Sequence, residues 1–300
     1  MRILLFGANG QVGWQLRRSL CVLGEVTALH RGSRPLCGDL ARPDALAETI
    51  RRIAPDVIVN AAAYTAVDRA ESEPDAAFAI NASACEILAA EAIRADAWLI
   101  HYSTDYVYDG TGERPWTEAD RTAPINTYGR SKLAGEEAIA RHERHVVFRT
   151  SWVFDTWGQN FAKSILRAAA QRDSLTVVSD QWGAPTRAAL IADVTAHVVG
   201  RLRPELAGIY HLAAAGETNW HAYAQLVVAV ARECGVPLQT TPERVAPIAS
   251  ADYPVAAPRP GNSRLDTGKL RSSFSLVLPP WQDGVRAVVT ELAASMPRAS

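Results

Sequence analysis

Long hydrophobic runs, paired cysteines and an excess of one charge are what this sequence of 300 residues lacks, and each absence removes a class of function. No uninterrupted apolar stretch approaches the roughly 20 residues that a membrane-spanning helix needs. The opening Met1-Arg2-Ile3-Leu4-Leu5-Phe6-Gly7 reaches a glycine turn too soon for a signal peptide. Neither a membrane partner nor export is therefore expected. Formal net charge is −1, so no global field draws the chain to nucleic acid, although a local basic pocket for a phosphorylated ligand is compatible with it. Cys21, Cys37, Cys85 and Cys234 are scattered with no Cys-x-x-Cys pair, which reads as free thiols in a reducing cytoplasm. The seven histidines show no His-Glu-x-x-His or similar spacing, so no metal is predicted from them.

What is present suits a packed globular protein. Apolar residues make up 48% of the chain and charged residues 21%. Short apolar runs alternate with stretches of helical period, the pattern of βαβ units and a parallel sheet. Strands are expected at residues 3–6, 26–29, 57–59, 98–100 and 146–148. Helices are expected at 11–23, after Pro43, at 75–95 and at 128–141. A polar loop spans 103–124, and a loop of that length inside a compact domain is more often functional than decorative. Past residue 151 the rhythm loosens, with helices near 161–171, 189–202 and 220–235 and short strands near 175–178 and 208–212. Residues 240–261, rich in Pro, Ala and Ser, read as surface loops.

Gly7-Ala8-Asn9-Gly10-Gln11-Val12-Gly13 lies directly between the first strand and the first helix. The first glycine permits the sharp turn, the second lets backbone amides approach a pyrophosphate, and the third allows close helix–strand packing. The helix N-terminus then offers free N–H groups to the phosphates. The sequence thus predicts an α/β fold: a Rossmann-type doubly wound parallel sheet with a smaller, mixed α/β C-terminal portion. Residues 1–150 form the NAD(P)-binding domain and 151–300 the mainly substrate-binding portion, with later segments free to return to the sheet.

Other residues carry chemistry by position. Asp39-Leu40 follows the second strand, where the carboxylate can reach an adenine amino group and Leu40 its ring; an Asp there also serves as a turn former. Asn60-Ala61-Ala62-Ala63 ends the third strand with small residues that let a cofactor lie close to the backbone, and a plain strand terminus accounts for them equally well. Ser103-Thr104-Asp105-Tyr106 follows the fourth strand, and the Thr104 hydroxyl is placed to stabilise charge developing on a substrate carbonyl. Tyr128 and Lys132 are four apart and share one helix face. An ammonium beside a phenol is expected to lower its pKa from near 10 toward the working range of a proton donor. No acidic residue lies between Val26 and Cys37, where one would bond the 2′-hydroxyl of NADH; His30, Arg31 and Arg34 stand there instead. NADPH is therefore the predicted preference, with NADH still used.

Together these motifs resemble the extended short-chain dehydrogenase/reductase superfamily and, within it, the dTDP-4-dehydrorhamnose reductase family. Further carriers are Tyr64-Thr65-Ala66-Val67-Asp68, Arg149-Thr150-Ser151-Trp152, Asp180–Thr186 and Arg259-Pro260-Gly261-Asn262-Ser263. The resemblance implies an NAD(P)H-dependent reductase of a dTDP-sugar. It implies Tyr128 as proton donor, Lys132 as its partner, and Thr104 in place of a more usual serine. Thr104, Asp105 and Tyr106 would meet the sugar and Trp152 would pack on it. Ala63, Tyr64, Thr65 and Tyr102 would line the cofactor, with Thr65, Val67, Arg259 and Asn262 as weaker substrate candidates.

Some members bind Mg²⁺ between subunits through acidic residues where this chain has Gln15 and Ala189, and only Glu291 keeps a carboxylate. Hard cations need oxygen ligands, so Mg²⁺ is not predicted; a homodimer stays open. Two rivals share the fold. A 4,6-dehydratase usually has Glu after the Asp that follows Thr, whereas Asp105 is followed by Tyr106; an epimerase would retain NAD⁺ through its cycle. A non-catalytic subunit like the regulatory β subunit of methionine adenosyltransferase is the third reading, against which intact Thr104, Tyr128 and Lys132 stand.

Overall fold

A computed structural model describes residues 1–296. The chain opens β1(Arg2–Phe6), α1(Gln11–Leu20), β2(Glu25–Leu29), α2(Pro43–Ile53) and β3(Val57–Asn60). It continues through α3(Val67–Ser72), α4(Pro74–Phe78), a π-helical turn at Ala79–Ser83, α5(Ala84–Ala95), β4(Trp98–Thr104), α6(Thr127–Ile139) and β5(His145–Thr150). Then follow β6(Val153–Phe154), α7(Phe161–Ala169), β7(Leu175–Val178), β8(Trp182–Gly183), β9(Thr186–Arg187), α8(Ala188–Val199) and β10(Gly208–His211). The last elements are β11(Thr218–Asn219), α9(Trp220–Glu233), β12(Val245–Ile248), α10(Gly268–Phe274) and α11(Trp281–Ala293).

The main sheet has six strands in the order β10-β5-β4-β3-β1-β2, with every pairing parallel. Its strands are mostly apolar at their centres because both faces are covered, as parallel sheets require, and polar groups gather toward their ends. Alternation divides each strand between the two faces. Ile3, Leu5, Val57 and Val59 join the core under α1 and α8, while Leu4, Phe6 and Ile58 join the core under α2, α5 and α6. A third core gathers α7, α9 and α11 around Tyr223, Val227 and Val288.

β10 comes from the C-terminal half yet pairs with β5, and α8 packs on α1. The stretch expected as loops contains β12, which pairs in parallel with β7. A four-residue strand with Pro247 inside it is hard to see in sequence, because its partner lies far along the chain. The expected 75–95 helix is observed, with the π-helical turn inside it. Its 22 residues, Pro74–Ala95, reach the length of a membrane span, with a mean hydropathy of 1.4 over 18 of them, but Asp75, Asn81, Glu86, Glu91 and Arg94 interrupt the apolar run. Here the helical run packs against α2 and α6.

Strand order reverses direction at β1, with β2 built outward on one side and β3 on the other. Open α/β sheets bind ligands in the crevice outside the carboxyl ends at this switch point.

Candidate active site

A cleft of about 740 Å³ lies there, running from the glycine turn to Trp152 and Trp220. At the nucleotide end, Gly7 has φ +82°, and a Cβ on it would stand 2.6 Å from the Ala61 carbonyl carbon. A Cβ on Gly13 would stand 2.0 Å from the Gly7 oxygen, so α1 can meet the turn only through glycine. α1 starts after Gly10 with no side-chain cap, leaving its first-turn N–H groups facing the cleft mouth. Such a cradle fits a pyrophosphate. Gly7, Gly10, Gln11 and Val12 line it, with Ala61, Ala62 and Ala63 opposite; Gly13 is buried beneath. Arg31 stands exposed on the rim. Leu40 lines the cleft, and Asp39 beside it also accepts from the Ala41 N–H at 3.1 Å, so the turn-forming role is present.

The other end of the cleft is built by α6. Asn126 caps it, its side-chain oxygen accepting from the Gly129 N–H at 2.7 Å, which puts Tyr128 in the first turn and Lys132 one turn later. A Cβ on Gly129 would stand 2.2 Å from the Tyr106 oxygen. Only glycine lets the helix approach the loop after β4 so closely, and that approach sets Tyr128 beside Thr104 and Asp105. Tyr106 meets the Tyr128 ring edge-on with centroids 5.8 Å apart. Trp152, at φ +47°, stacks on Trp220 at 3.7 Å, forming the far wall. Thr65 and Val67 also face the cleft.

Burial governs the electrostatics here. The Asp105 carboxyl is pushed up to about 6 by burial, opposed by the Ser263 and Thr104 hydroxyls. The Tyr128 phenol is pushed up from its ordinary value by burial and then by the nearby Asp105 carboxylate, with the Thr104 hydroxyl opposing. This reverses the expectation that Lys132 lowers it. Lys132 is only 1% exposed and spends one donor on the Tyr102 carbonyl at 2.6 Å; burial pulls its own pKa down. Below it, Glu136 and Arg149 form a buried pair at 2.6 Å, and Arg149 also donates to the Tyr108 hydroxyl at 2.7 Å.

Three predicted residues, Tyr64, Arg259 and Asn262, lie outside the cleft lining. The Tyr64 hydroxyl donates to Glu73 at 2.7 Å, away from the cleft, because α3 and α4 offer that carboxylate locally. Tyr102 borders the cleft, but its hydroxyl bonds Thr195 of α8 at 2.7 Å. Arg259 pairs with Asp68 at 2.7 Å, tying the 250s loop to α3 outside the cleft lining. Asn262 spends its amide on the carbonyls of Arg114 (2.8 Å) and Thr111 (3.3 Å), clamping the long loop. Glu291 pairs with Arg187 at 2.6 Å, and the Ala189 N–H donates to Asp155.

Sequence reasoning missed Trp220, whose role depends on a contact across 68 residues that no local pattern signals. It also missed His101, whose Nε2 lies 3.1 Å from Lys132 Nζ. Its place on β4, two residues before Ser103 on the same face, was the available clue.

A parallel-sheet switch point, a glycine cradle and a Thr104–Tyr128–Lys132 cluster lining one cleft define a dinucleotide-dependent oxidoreductase of the short-chain dehydrogenase/reductase kind. The model of the RmlD substrate binding domain family matches residues 1–294. A dTDP-4-dehydrorhamnose reductase of Salmonella typhimurium is 52% identical over 295 residues, covering 97% of this chain and 98% of that protein. One from Burkholderia thailandensis is 46% identical, covering 97% and 99%. The crystal structure of dTDP-4-dehydrorhamnose reductase from Bacillus anthracis in complex with NADP superposes with a TM-score of 0.88 at 31% identity, covering 97% and 99%. The chain belongs to this family, that of the dTDP-4-dehydrorhamnose reductases.

Proposed function

We propose that the chain reduces dTDP-4-dehydro-L-rhamnose to dTDP-L-rhamnose, the last step of dTDP-L-rhamnose synthesis, with NADPH preferred and NADH accepted. The observation that carries this reading is one cleft joining the glycine cradle to Thr104, Tyr128 and Lys132, supported by full-length similarity to reductases of that name. When bound, the reduced nicotinamide supplies the hydride. Gly7, Gly10, Gln11 and Val12 hold the pyrophosphate, Ala61–Ala63 leave room beside it, and Arg31 reaches a 2′-phosphate on the rim. Residues 1–150 supply this half, and residues 151–300 mainly add the sugar wall at Trp152 and Trp220.

The Thr104 hydroxyl, which donates to Asp105 Oδ1 at 3.0 Å, turns to the C4 oxygen when the sugar binds and strengthens that bond as charge develops. Tyr128 gives its proton to the same oxygen. Its raised pKa keeps the phenol protonated at neutral pH, as a donor must be. Lys132 sits one helical turn below as the phenol's partner. Asp105 and Tyr106 border the sugar.

Purified protein incubated with dTDP-4-dehydro-L-rhamnose should oxidise both reduced cofactors, the phosphorylated one faster, and yield dTDP-L-rhamnose. Tyr128→Phe should lose at least about two orders of magnitude in kcat while still binding cofactor. Near-normal turnover by that variant removes Tyr128 from the mechanism. Cofactor retained through purification, with epimerisation and no net oxidation, overturns the reductase reading.

A further inference from the structure

Lys132 is held by a chain of buried groups that the proposed reaction does not use directly. Its Nζ faces His101 Nε2 at 3.1 Å, and on the other side of the ring His101 Nδ1 faces Asn60 Nδ2 at 3.1 Å. Asn60 and His101 are register partners on β3 and β4, and both are 1% exposed. The remaining atom of the Asn60 amide, Oδ1, accepts from the Ala62 backbone N–H at 3.2 Å.

The donors and acceptors in this chain can be counted. A backbone N–H only donates, so the Asn60 atom facing Ala62 is the oxygen and the atom facing His101 is the amide nitrogen. That nitrogen donates, so His101 Nδ1 must present its lone pair. A neutral imidazole carries one proton, which is then on Nε2 and points at Lys132. An ammonium has three donors and no acceptor, so this contact is satisfied only by a lysine with a free lone pair. The charged lysine would need the proton on Nδ1, against the Asn60 amide hydrogens, or an amide flip that sacrifices the Ala62 bond.

We propose that Asn60 and His101 are a positioning pair that weakens the hold of Lys132 on its third proton, by fixing the imidazole as its Nε2–H tautomer. The pair makes Lys132 a readier proton donor to the Tyr128 side of the site than a lysine with acceptors alone around it. Burial acts in the same sense: it pulls the lysine down from its ordinary value, and it holds His101 neutral, helped by Lys132. The other groups facing Lys132 oppose the effect. They are Cys85 of α5, whose thiol burial pushes up to about 11, and Glu136 of α6, already paired with Arg149 of β5. One donor of Lys132 goes to the Tyr102 carbonyl of β4, and Tyr128 lies one turn up its own helix.

Two measurements on the full chain test this. With ¹⁵N-histidine labelling, long-range ¹H–¹⁵N correlation at about pH 8 reads the tautomer of His101, identified by the signal missing from His101→Gln. Wild type should show Nε2–H. Asn60→Asp, nearly isosteric but accepting on both oxygens, should switch it to Nδ1–H. An Nδ1–H tautomer or an imidazolium in wild type overturns the proposal, even if no variant folds; so does an unchanged tautomer in a folded Asn60→Asp.

The second measurement rests on the reductase reading. The alkaline limb of the kcat profile should move up by roughly one pH unit in Asn60→Asp, because Lys132 keeps its proton longer. A merely structural role for Asn60 lowers kcat without moving the limb, and that outcome also overturns the proposal. Failure of the protein to reduce the sugar at all sinks the reductase reading and leaves the tautomer test standing.

Discussion

The two ends of the cleft are made of different material. The nucleotide end is backbone: a glycine turn, an uncapped helix start, three alanines and one exposed arginine. The other end is side chains, most of them buried: Lys132 and Glu136 have close partners, while Ser103 Oγ and Asp105 Oδ2 are buried with none. Backbone amides read a phosphate whatever lies around them, so the first end tolerates water. Proton chemistry depends on dielectric and on hydrogen-bond polarity, so the second end is set deeper and has buried supports behind Lys132.

If that contrast holds, the largest effect comes from removing a support at the buried end. Glu136→Ala leaves the Arg149 guanidinium without its carboxylate in a dry site, and breaking such a pair costs about 3–5 kcal/mol. The unfolding midpoint in urea should drop accordingly; a loss under about 1 kcal/mol would show that water reaches the pair. Next comes Thr104→Val, nearly isosteric, which should cost roughly 2.7–4 kcal/mol of transition-state stabilisation. Steady-state kinetics should show kcat falling more than KM rises, and a pure KM effect would make Thr104 a positioning group.

Asp105 sharpens the comparison through pH. Burial pushes its carboxyl up to about 6, so the folded chain holds this proton where the unfolded chain, near the ordinary carboxylate value, has lost it. Stability therefore falls as pH rises from about 4 to about 6 and stays lower above. Asp105→Asn removes the penalty. Its melting temperature should exceed wild type by about 2–4 °C near neutral pH and converge with it near pH 4. Equal differences at both pH values would mean that Asp105 is not desolvated.

The smallest effect belongs to the exposed end. Arg31→Ala should weaken NADPH by about tenfold or less and leave NADH nearly untouched, since a solvated guanidinium acts only on the extra phosphate. Equal weakening of both cofactors, or a wild type that favours NADH, would remove Arg31 from cofactor choice.

Most of the nucleotide end was legible in sequence because its signals are local. Gly7, Gly10 and Gly13 lie within one turn of the chain, and strand alternation is a short-range pattern. Tyr128 and Lys132 were likewise readable, since four residues on a helix is a fixed geometry. The partners of Tyr64, Arg259 and Asn262 were not, because each found its hydrogen bond in the folded neighbourhood rather than at the cleft. β12 was missed for the same reason, as its pairing partner is β7.

The sequence by itself therefore determined the sheet, the cradle and the side chains, Thr104, Tyr128 and Lys132, that meet in the cleft, because these depend on spacing along the chain. Only the tertiary structure decided their protonation and support. The register of β3 against β4 sets Asn60 beside His101, and the close approach at Gly129 sets Tyr128 beside Thr104. Depth of burial and direction of a hydrogen bond are properties of neighbours distant in sequence, so no window along the chain contains them.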